Sequence, residues 1–407
     1  MVAILTRIFG VEHLNLAEDV VQEALVRALQ TWPYYGMPKN PSAWIMQVSR
    51  NLALDVVRRE KVFRDKQTQI ITTFEKEEAG PDDAVFSEHE IKDDRLRMIF
   101  VCCHPLLPPE AQVALALKTL CGFGIEEISR AFLTNEAVIA KRLTRAKQKI
   151  REAGVAFEIP AGDELARRLD GVLQTVYLLF NEGYKASTGE VLLRAELCQE
   201  AIRLAGLLAQ HKAGNRPQVH ALLALMLLNA ARFPTRTDNE GNLLRLKDQD
   251  RNRWDRSMIA RGLFHLAQSA AGDEMSPYHL QAGIAACHCA APDYASTDWQ
   301  QIRAMYDRLI QMDDSPVVAL NRAVALSEVE GPKAGLEALA QARKRDGMDS
   351  YYLFYAVQGE LEARLKRYDA AASLFRKSIE LTNQNSERAF LMKRLEGMER
   401  TGAEATK

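Results

Sequence analysis

The sequence predicts an all-α protein divided into several helical domains. Apolar residues recur at helical spacing along most of its length, and no stretch alternates convincingly in the manner of a strand. From residue 165 onward the chain is rich in Ala and Leu and keeps the same helical pattern. At 407 residues it exceeds one ordinary core, so roughly two to four domains are expected. Hydrophobic residues at 47% and charged residues at 26% are the proportions of a globular chain, too apolar for a disordered one.

The first legible helix opens at Asn15-Leu16-Ala17-Glu18, which reads as a capping box. Ala17, Val20, Val21, Ala24, Leu25 and Ala28 then share one face, leaving Asp19, Gln22, Glu23, Arg27 and Gln30 outside. A stop follows at Trp32-Pro33-Tyr34-Tyr35-Gly36-Met37-Pro38-Lys39, and Asn40-Pro41 starts a second helix with Asn as cap and Pro at the first helical position. Its apolar stripe is Trp44, Val48, Leu52 and Val56, and its second half is basic, with Arg50, Arg58, Arg59, Lys61, Arg64 and Lys66.

Residues 67–93 lose the pattern and become acidic, with Gly80 and Pro81 among the carboxylates, which is the composition of a linker. Beyond it, helices are expected at about 94–103, 109–120 and 125–133, and after the break Leu133-Thr134-Asn135 a fourth at about 136–153. The fourth buries Ile139, Leu143, Ala146 and Ile150 and presents Lys141, Arg142, Arg145, Lys147 and Lys149. Two helices joined by a short turn, the second with a basic face, match a helix-turn-helix. Spacing alone leaves a DNA reader and a merely solvated basic helix equally open.

Near the end, residues 316–323 and 334–336 are echoed by 352–365 and 369–375, an offset of roughly 35 residues close to the tetratricopeptide period. Two such units would leave an apolar face uncovered, so the helices of 165–310 are expected to complete the stack. The domain boundaries read as 1–66, 67–93 (linker), 94–156, 165–312 and 313–400.

A net charge of −1 means that any nucleic-acid surface is a local patch balanced elsewhere. No apolar run is long enough to span a bilayer, and residues 1–7 lack the features of a signal peptide, so a cytoplasmic protein without a membrane partner is expected. Six cysteines in so long a chain are not a disulfide framework. Cys102-Cys103-His104 and Cys287-His288-Cys289 lack the two-residue gap of structural zinc sites, so buried thiols are expected and no metal. Asp248, Asp250 and His265 would offer an acid and a base, but no nucleophile, phosphate loop or ligand triad accompanies them, and a polar loop before the helix near Trp254 accounts for them. No enzyme and no cofactor are expected.

Taken in order, these segments resemble the sigma-70 family of RNA polymerase sigma factors, in its extracytoplasmic-function group. Residues 16–24 are similar to the part of region two that docks on the polymerase clamp helices. Residues 40–45 and 50–60 are similar to the part that melts and reads the minus-ten element, and 125–151 resemble region four, which reads the minus-thirty-five element. Cys102-Cys103-His104-Pro105, Phe180-Asn181-Glu182-Gly183-Tyr184, Asp248-Gln249-Asp250-Arg251 with Trp254, and 316–324 resemble signatures of the subgroup with a helical C-terminal extension. A factor that opens promoter DNA without chemistry needs a basic, aromatic-bearing surface for unstacked bases and a separate duplex reader, and two readers joined by a linker supply both.

The resemblance implies RNA polymerase core and promoter DNA as partners. It assigns Asp19, Gln22, Glu23 and Arg27 to the polymerase interface and Arg50, Asn51, Arg58 and Arg59 to promoter DNA, with Trp44 read as core because it lies on the apolar stripe. Thr134, Asn135, Glu136 and Val138 would specify bases, while Lys141, Arg142 and Arg145 would position the helix on phosphates. The acidic stretch 75–94 would lie where nascent RNA later passes, as a nucleic-acid mimic or, as its composition favours, a solvated tether. The family's region two ordinarily opens with a helix ahead of the segment equivalent to 2–9, so either the chain starts upstream of Met1 or that helix is trimmed. The extension is expected to regulate the factor through regions two and four or through a protein partner. The competing reading is a helical-repeat scaffold that binds proteins without initiating transcription.

Overall fold

The computed structural model describes residues 1–62, 88–132, 134–160, 162–184, 193–211, 214–238, 243–272, 274–345, 347–382 and 385–405. It divides into two units, Met1–Leu179 and Phe180–Lys407. Among the described residues the secondary structure is helical, with one isolated bridge between Thr237 and Leu243, and no helix is long and apolar enough to cross a membrane.

The first unit contains α1 (Val2–Phe9), a 3-10 turn (Val11–His13), α2 (Leu14–Tyr35), α3 (Pro41–Val62), α4 (Glu88–Cys102), α5 (Pro109–Cys121), α6 (Ile125–Ala131), α7 (Glu136–Glu152) and most of α8 (Asp163–Tyr184). Short α1 buries Ala3, Ile4, Leu5, Thr6 and Phe9, nearly its whole circumference, because α2 lies on one side of it and α4 and α5 on the other. Leu5 and Phe9 join Ala17, Val20 and Val21 of α2 and Ala53 and Val57 of α3 in one apolar cluster. On the opposite side Asp94 of α4, 1% exposed, is paired with Arg7 of α1 at 2.9 Å and with Arg97 at 3.0 Å.

α2 begins at Leu14 with His13 before it and no side-chain cap, so Asn15 and Glu18 form no capping box. The buried Val11 and Leu14 anchor the chain through the 3-10 turn and start the helix early. The helix also runs through Pro33 to Tyr35 and ends only at Gly36, whose φ of 84° suits a residue without Cβ. Leu25 is exposed rather than buried. On α3 the buried line is Ile45, Ser49, Ala53 and Val57, one residue round from the expected stripe. Ser49 hides it from a hydrophobicity pattern, and its hydroxyl is satisfied by the Ile45 carbonyl at 2.8 Å. α4 opens at Glu88, inside the stretch read as linker, whereas 63–87, with Arg64, Lys66 and most of the acidic run, lie outside the described residues.

The turn Cys102-Cys103-His104-Pro105 is the floor on which α8 lies. Arg168 donates to the Phe100 carbonyl at 3.0 Å, the Cys103 thiol is 3.7 Å from the Thr175 hydroxyl, and Gln112 donates to the carbonyls of His104 and Leu107. A Cβ on Gly171 would fall 2.2 Å from the Gln112 carboxamide oxygen, so a larger residue here would have to move Gln112, which donates to the His104 and Leu107 carbonyls. The helix that opens the extension is thus a layer of the first unit.

The second unit stacks α9 (Ala195–Gln210), α10 (Pro217–Ala230), α11 (Arg256–Ser269), α12 (Pro277–Ala290), α13 (Trp299–Met312), α14 (Pro316–Glu330), α15 (Pro332–Ala342), α16 (Tyr352–Arg364), α17 (Tyr368–Leu381) and α18 (Asn385–Ala405). Helix α10 is buried on almost every side by α9, α11 and α12. The pair α14–α15 recurs about 36 residues later as α16–α17. In each pair a glycine allows close approach: a Cβ on Gly335 would meet Ser327 and Leu361, and one on Gly359 would press on Phe375 and the Ala371 carbonyl.

The stretch 248–254 closes the loop between α10 and α11. Arg251, 4% exposed, donates to the carbonyls of His288 (2.8 Å) and Ala291 (3.0 Å) at the end of α12 and to the Thr297 hydroxyl (3.0 Å). The negative end of the helix dipole offsets the cost of burying this cation. Trp254 donates to the Thr235 hydroxyl at 2.8 Å, Asp250 accepts from the Asn252 amide, and Asp255, one residue beyond Trp254, caps α11. Replacing Arg251 with Ala would leave these buried acceptors unpaired. Thermal or urea unfolding is expected to show a loss of about 2–4 kcal/mol, with Arg251→Lys recovering only part of it.

Candidate nucleic-acid interface

Helix α7 divides its circumference among three environments. Ile139, Leu143, Ala146 and Ile150 are buried, as the periodicity predicts. Val138, at 40% exposure, stands with Lys141, Arg145 and Lys149 on the open face, flanked by half-buried Arg142, whose guanidinium lies over the Phe132 ring at 5.4 Å. The third side carries Lys147. It is read from the sequence as part of the basic face, but it is paired with Glu18 of α2, which also accepts from the Thr119 hydroxyl of α5 at 3.1 Å. Glu18 and Lys147 are both largely covered. A cleft of about 300 Å³ opens beside this pair, lined by Asn15, Lys118, Ile125, Thr144, Gln148 and Arg151 among others.

The turn ahead of α7 uses its polar groups internally. The Asn135 side-chain oxygen accepts from the Val138 amide at 3.0 Å, and the Thr134 amide donates to the Ser129 carbonyl. Asn135 is therefore the N-cap of the helix, with only its NH₂ left for a ligand. Glu136 is exposed in the first turn, where the helix dipole favours an acid. Leu133 lies outside the described residues.

On α3, Asn51, Arg58 and Arg59 are exposed on the side opposite Ala53 and Val57, and Arg50 is half-buried at the flank. Trp44 is half-buried edge-on against Trp32, with ring centroids 5.6 Å apart. On α2, Asp19, Gln22, Glu23 and Arg27 are exposed, and Arg27 donates to Glu23 at 2.9 Å. Beside them, one helical turn on, stand Leu25, Val26 and Leu29, followed by Tyr34 (85% exposed), Tyr35 (89%) and Met37. The sequence reading missed this apolar group, although two adjacent tyrosines in a polar stretch were its visible signal. So large a set of uncovered apolar side chains makes this side of α2 a candidate contact surface.

Among the described residues no group of three His, Cys, Asp or Glu side chains could hold a metal ion. Burial pushes the Cys103 thiol up to about 12 and Cys289 to about 11, so both stay protonated, and it drives His288 down to about 3. His265, once a candidate base, shares a 2.9 Å contact between ring nitrogens with His220 and is held at about 4, chiefly by burial. Asp248 pairs with Arg245 at 2.6 Å, which also reaches Glu360 of α16 at 3.3 Å. These groups are committed to the framework.

Family comparison matches residues 1–62 to sigma-70 region 2 and 97–150 to sigma-70 region 4, so both basic helices fall inside sigma segments. Over nearly its whole length the chain is 38% identical to the uncharacterized protein R00370 of Rhizobium meliloti, covering 94% of this chain and 90% of that one. The ECF RNA polymerase sigma factor SigE of Mycolicibacterium smegmatis is 27% identical over 147 residues, 36% of this chain and 54% of SigE. The chain belongs to the sigma-70 family. Within that family it is an extracytoplasmic-function sigma factor with a helical C-terminal extension. SigX of Bacillus subtilis, another ECF RNA polymerase sigma factor, is 20% identical over 146 residues, 35% of this chain and 73% of SigX. Residues 168–270 match a family of unknown function, DUF6596, and that match begins at Arg168, the residue that ties α8 to α4.

If Asn135 serves mainly as a cap, Asn135→Ala should cost about 1 kcal/mol in chemical unfolding of this sigma factor. Asn135→Ser should restore stability, and both should leave its base preference in a binding-site selection unchanged.

Proposed function

We propose that this sigma factor binds RNA polymerase core through the exposed side of α2 and directs it to promoters through the basic faces of α3 and α7. The observation that carries this reading is the pair of cationic helix faces, one in each matched sigma segment, each backed by a buried apolar line. Asp19, Gln22, Glu23 and Arg27, with the neighbouring Leu25, Val26 and Leu29, form the polymerase contact. Arg58, Arg59 and Asn51, flanked by Arg50, hold the melted minus-ten strand. On α7, Lys141, Arg142 and Arg145 engage phosphates of the minus-thirty-five element, and Val138 and Glu136, at the start of the helix, reach base edges. Asn135 and Thr134 act chiefly by shaping the turn. The protein works in the cytoplasm, with its polymerase.

The extension regulates the factor, in our reading, by acting on region four through α8. The close fit of Arg168, Gly171 and Thr175 against the turn after α4 supports this, since anything that moves α8 moves the base on which α7 is mounted. We divide the chain accordingly into region two (1–66), a linker (67–93), region four (94–156), the extension's first helical part (165–312) and its repeats (313–400).

The reading is tested by run-off transcription with bacterial core polymerase from a promoter identified by mapping transcript starts after induced expression. The full chain should give a promoter-specific transcript. Arg58→Ala with Arg59→Ala should abolish it, and Lys141→Ala should lower the slope of log affinity against log salt by about one. No specific transcript from the intact chain would leave the helical-repeat scaffold as the better description.

The place of α8 refines where the chain is cut. A chain ending near residue 160 should unfold region four, because Phe100, Cys103 and Gln112 lose their cover. One ending at Tyr184 should keep promoter-specific transcription and lose its regulation. Equal stability and activity of the two would remove α8 from the argument.

A further inference from the structure

We infer that the face of α16 and α18 around Glu360 is a docking surface for a short peptide that mixes leucine with basic residues, and that the chain's own loop 243–248 covers it as a built-in competitor. This goes beyond the sigma-factor reading and does not rest on it.

Helices α14, α16 and α18 take equivalent places in successive repeat units, and stacked repeats bind along the face that such a row presents. Links between guanidinium and carboxylate tie the row together. Arg364 of α16 donates to Glu328 of α14 at 2.7 Å, and Arg394 of α18 forks onto the two oxygens of Glu360 of α16 at 2.5 and 2.9 Å. A further cation reaches this line from outside the repeats. Arg245, 115 residues away, shares one Nη1 between both oxygens of Glu360, each at 3.3 Å. A single shared donor at that distance is weaker than a fork, and both partners are about a quarter exposed, at 27% and 25%. Arg394 therefore belongs to the receptor, and Arg245 is its replaceable guest.

The loop has the make-up of a ligand. Turns between helices are ordinarily built of Gly, Pro, Asn, Asp and Ser, whereas Leu243-Leu244-Arg245-Leu246-Lys247-Asp248 sets three half-buried leucines among two basic residues. It is also pre-shaped. The Leu244 amide donates to the Arg236 carbonyl at 2.9 Å, the Gln249 carboxamide to the Leu244 carbonyl at 3.1 Å, and the Asp248 amide to the Arg245 carbonyl at 2.9 Å. Asp248 in turn accepts from the Arg245 guanidinium at 2.6 Å. Pinned in this way, Arg245 meets Glu360 at a high effective concentration, and a free peptide of the same chemistry competes at a disadvantage until the loop is released.

A fluorescein-labelled peptide of residues 243–248, blocked at both ends and titrated into the full chain by fluorescence anisotropy, tests this. Arg245→Gln in the chain, which frees Glu360 without altering the repeats, should tighten peptide binding at least ten-fold over wild type. Adding Glu360→Gln should remove the gain, with circular dichroism melts showing that each chain is folded. A peptide carrying Arg245→Gln should bind the wild-type chain at least ten-fold more weakly than the unaltered peptide. Equal binding of the two peptides would overturn the proposal, whatever the chain variants do. So would a folded Arg245→Gln chain that binds the peptide no better than wild type, since the loop would then be a plain strut. A wild-type chain that sediments as a dimer, dissolved by Arg245→Gln, would overturn it as well, because the occupant would be a second copy. The titration needs neither polymerase nor promoter, so its failure is distinct from a failure of the sigma-factor reading.

Discussion

Helix α1 is buried over most of its surface, with Arg7 its one charged residue, and the amino-terminal half is built around covering it. Leu5 and Phe9 close the region-two core with Ala17, Val20, Val21, Ala53 and Val57, while the remaining sides of α1 face α4 and α5. Each buried aliphatic or aromatic side chain of this kind contributes about 1.5–3 kcal/mol. Most of the association energy between the halves therefore comes from α1, and the ion pairs at the rim fix orientation. Polar rims of this sort supply little net stability and much specificity.

Arginines that donate to the carbonyls ending a helix recur through the fold. Arg168 caps α4 at Phe100, Arg236 caps α8 at Tyr184 while lying 3.7 Å over the Tyr184 ring, and Arg251 caps α12. Each joins the end of one helix to an element distant in sequence. This explains why Arg251 and Trp254 look like a signature although they take no part in chemistry. Their neighbours Asp248 and Asp250, which from spacing alone might have been an acid and a base, are an ion-pair partner and a turn cap.

The helical class, the helix-turn-helix and the four buried positions of α7 were legible because hydrophobic periodicity reports directly on a one-sided helix. The same rule failed where its premise failed. Thr6 of α1 and Ser49 of α3 are polar residues on core lines. Leu25 is an apolar residue left exposed on α2, and so escapes a rule that sends apolar residues inward. Asp19, Gln22, Glu23 and Arg27 of α2 and Asn51, Arg58 and Arg59 of α3 are exposed, since a polar residue opposite an apolar line has nowhere else to go, whereas Arg50 at the flank is half-buried. The cap made by Asn135 is a local contact to Val138, but the turning of Lys147 toward Glu18 depends on a contact 129 residues apart, and no local pattern encodes it.

The account turns on two cationic helix faces, one in each sigma segment, that engage two separate promoter elements. The most direct measurement is the position of DNA cuts made by a hydroxyl-radical reagent tethered through unnatural side chains at exposed Gln47 of α3 and Glu152 of α7. It would be read in the polymerase–promoter complex. The account predicts cuts around the minus-ten element from the α3 tether and around the minus-thirty-five element from the α7 tether. Cuts from both tethers at one element, or from neither, would contradict it.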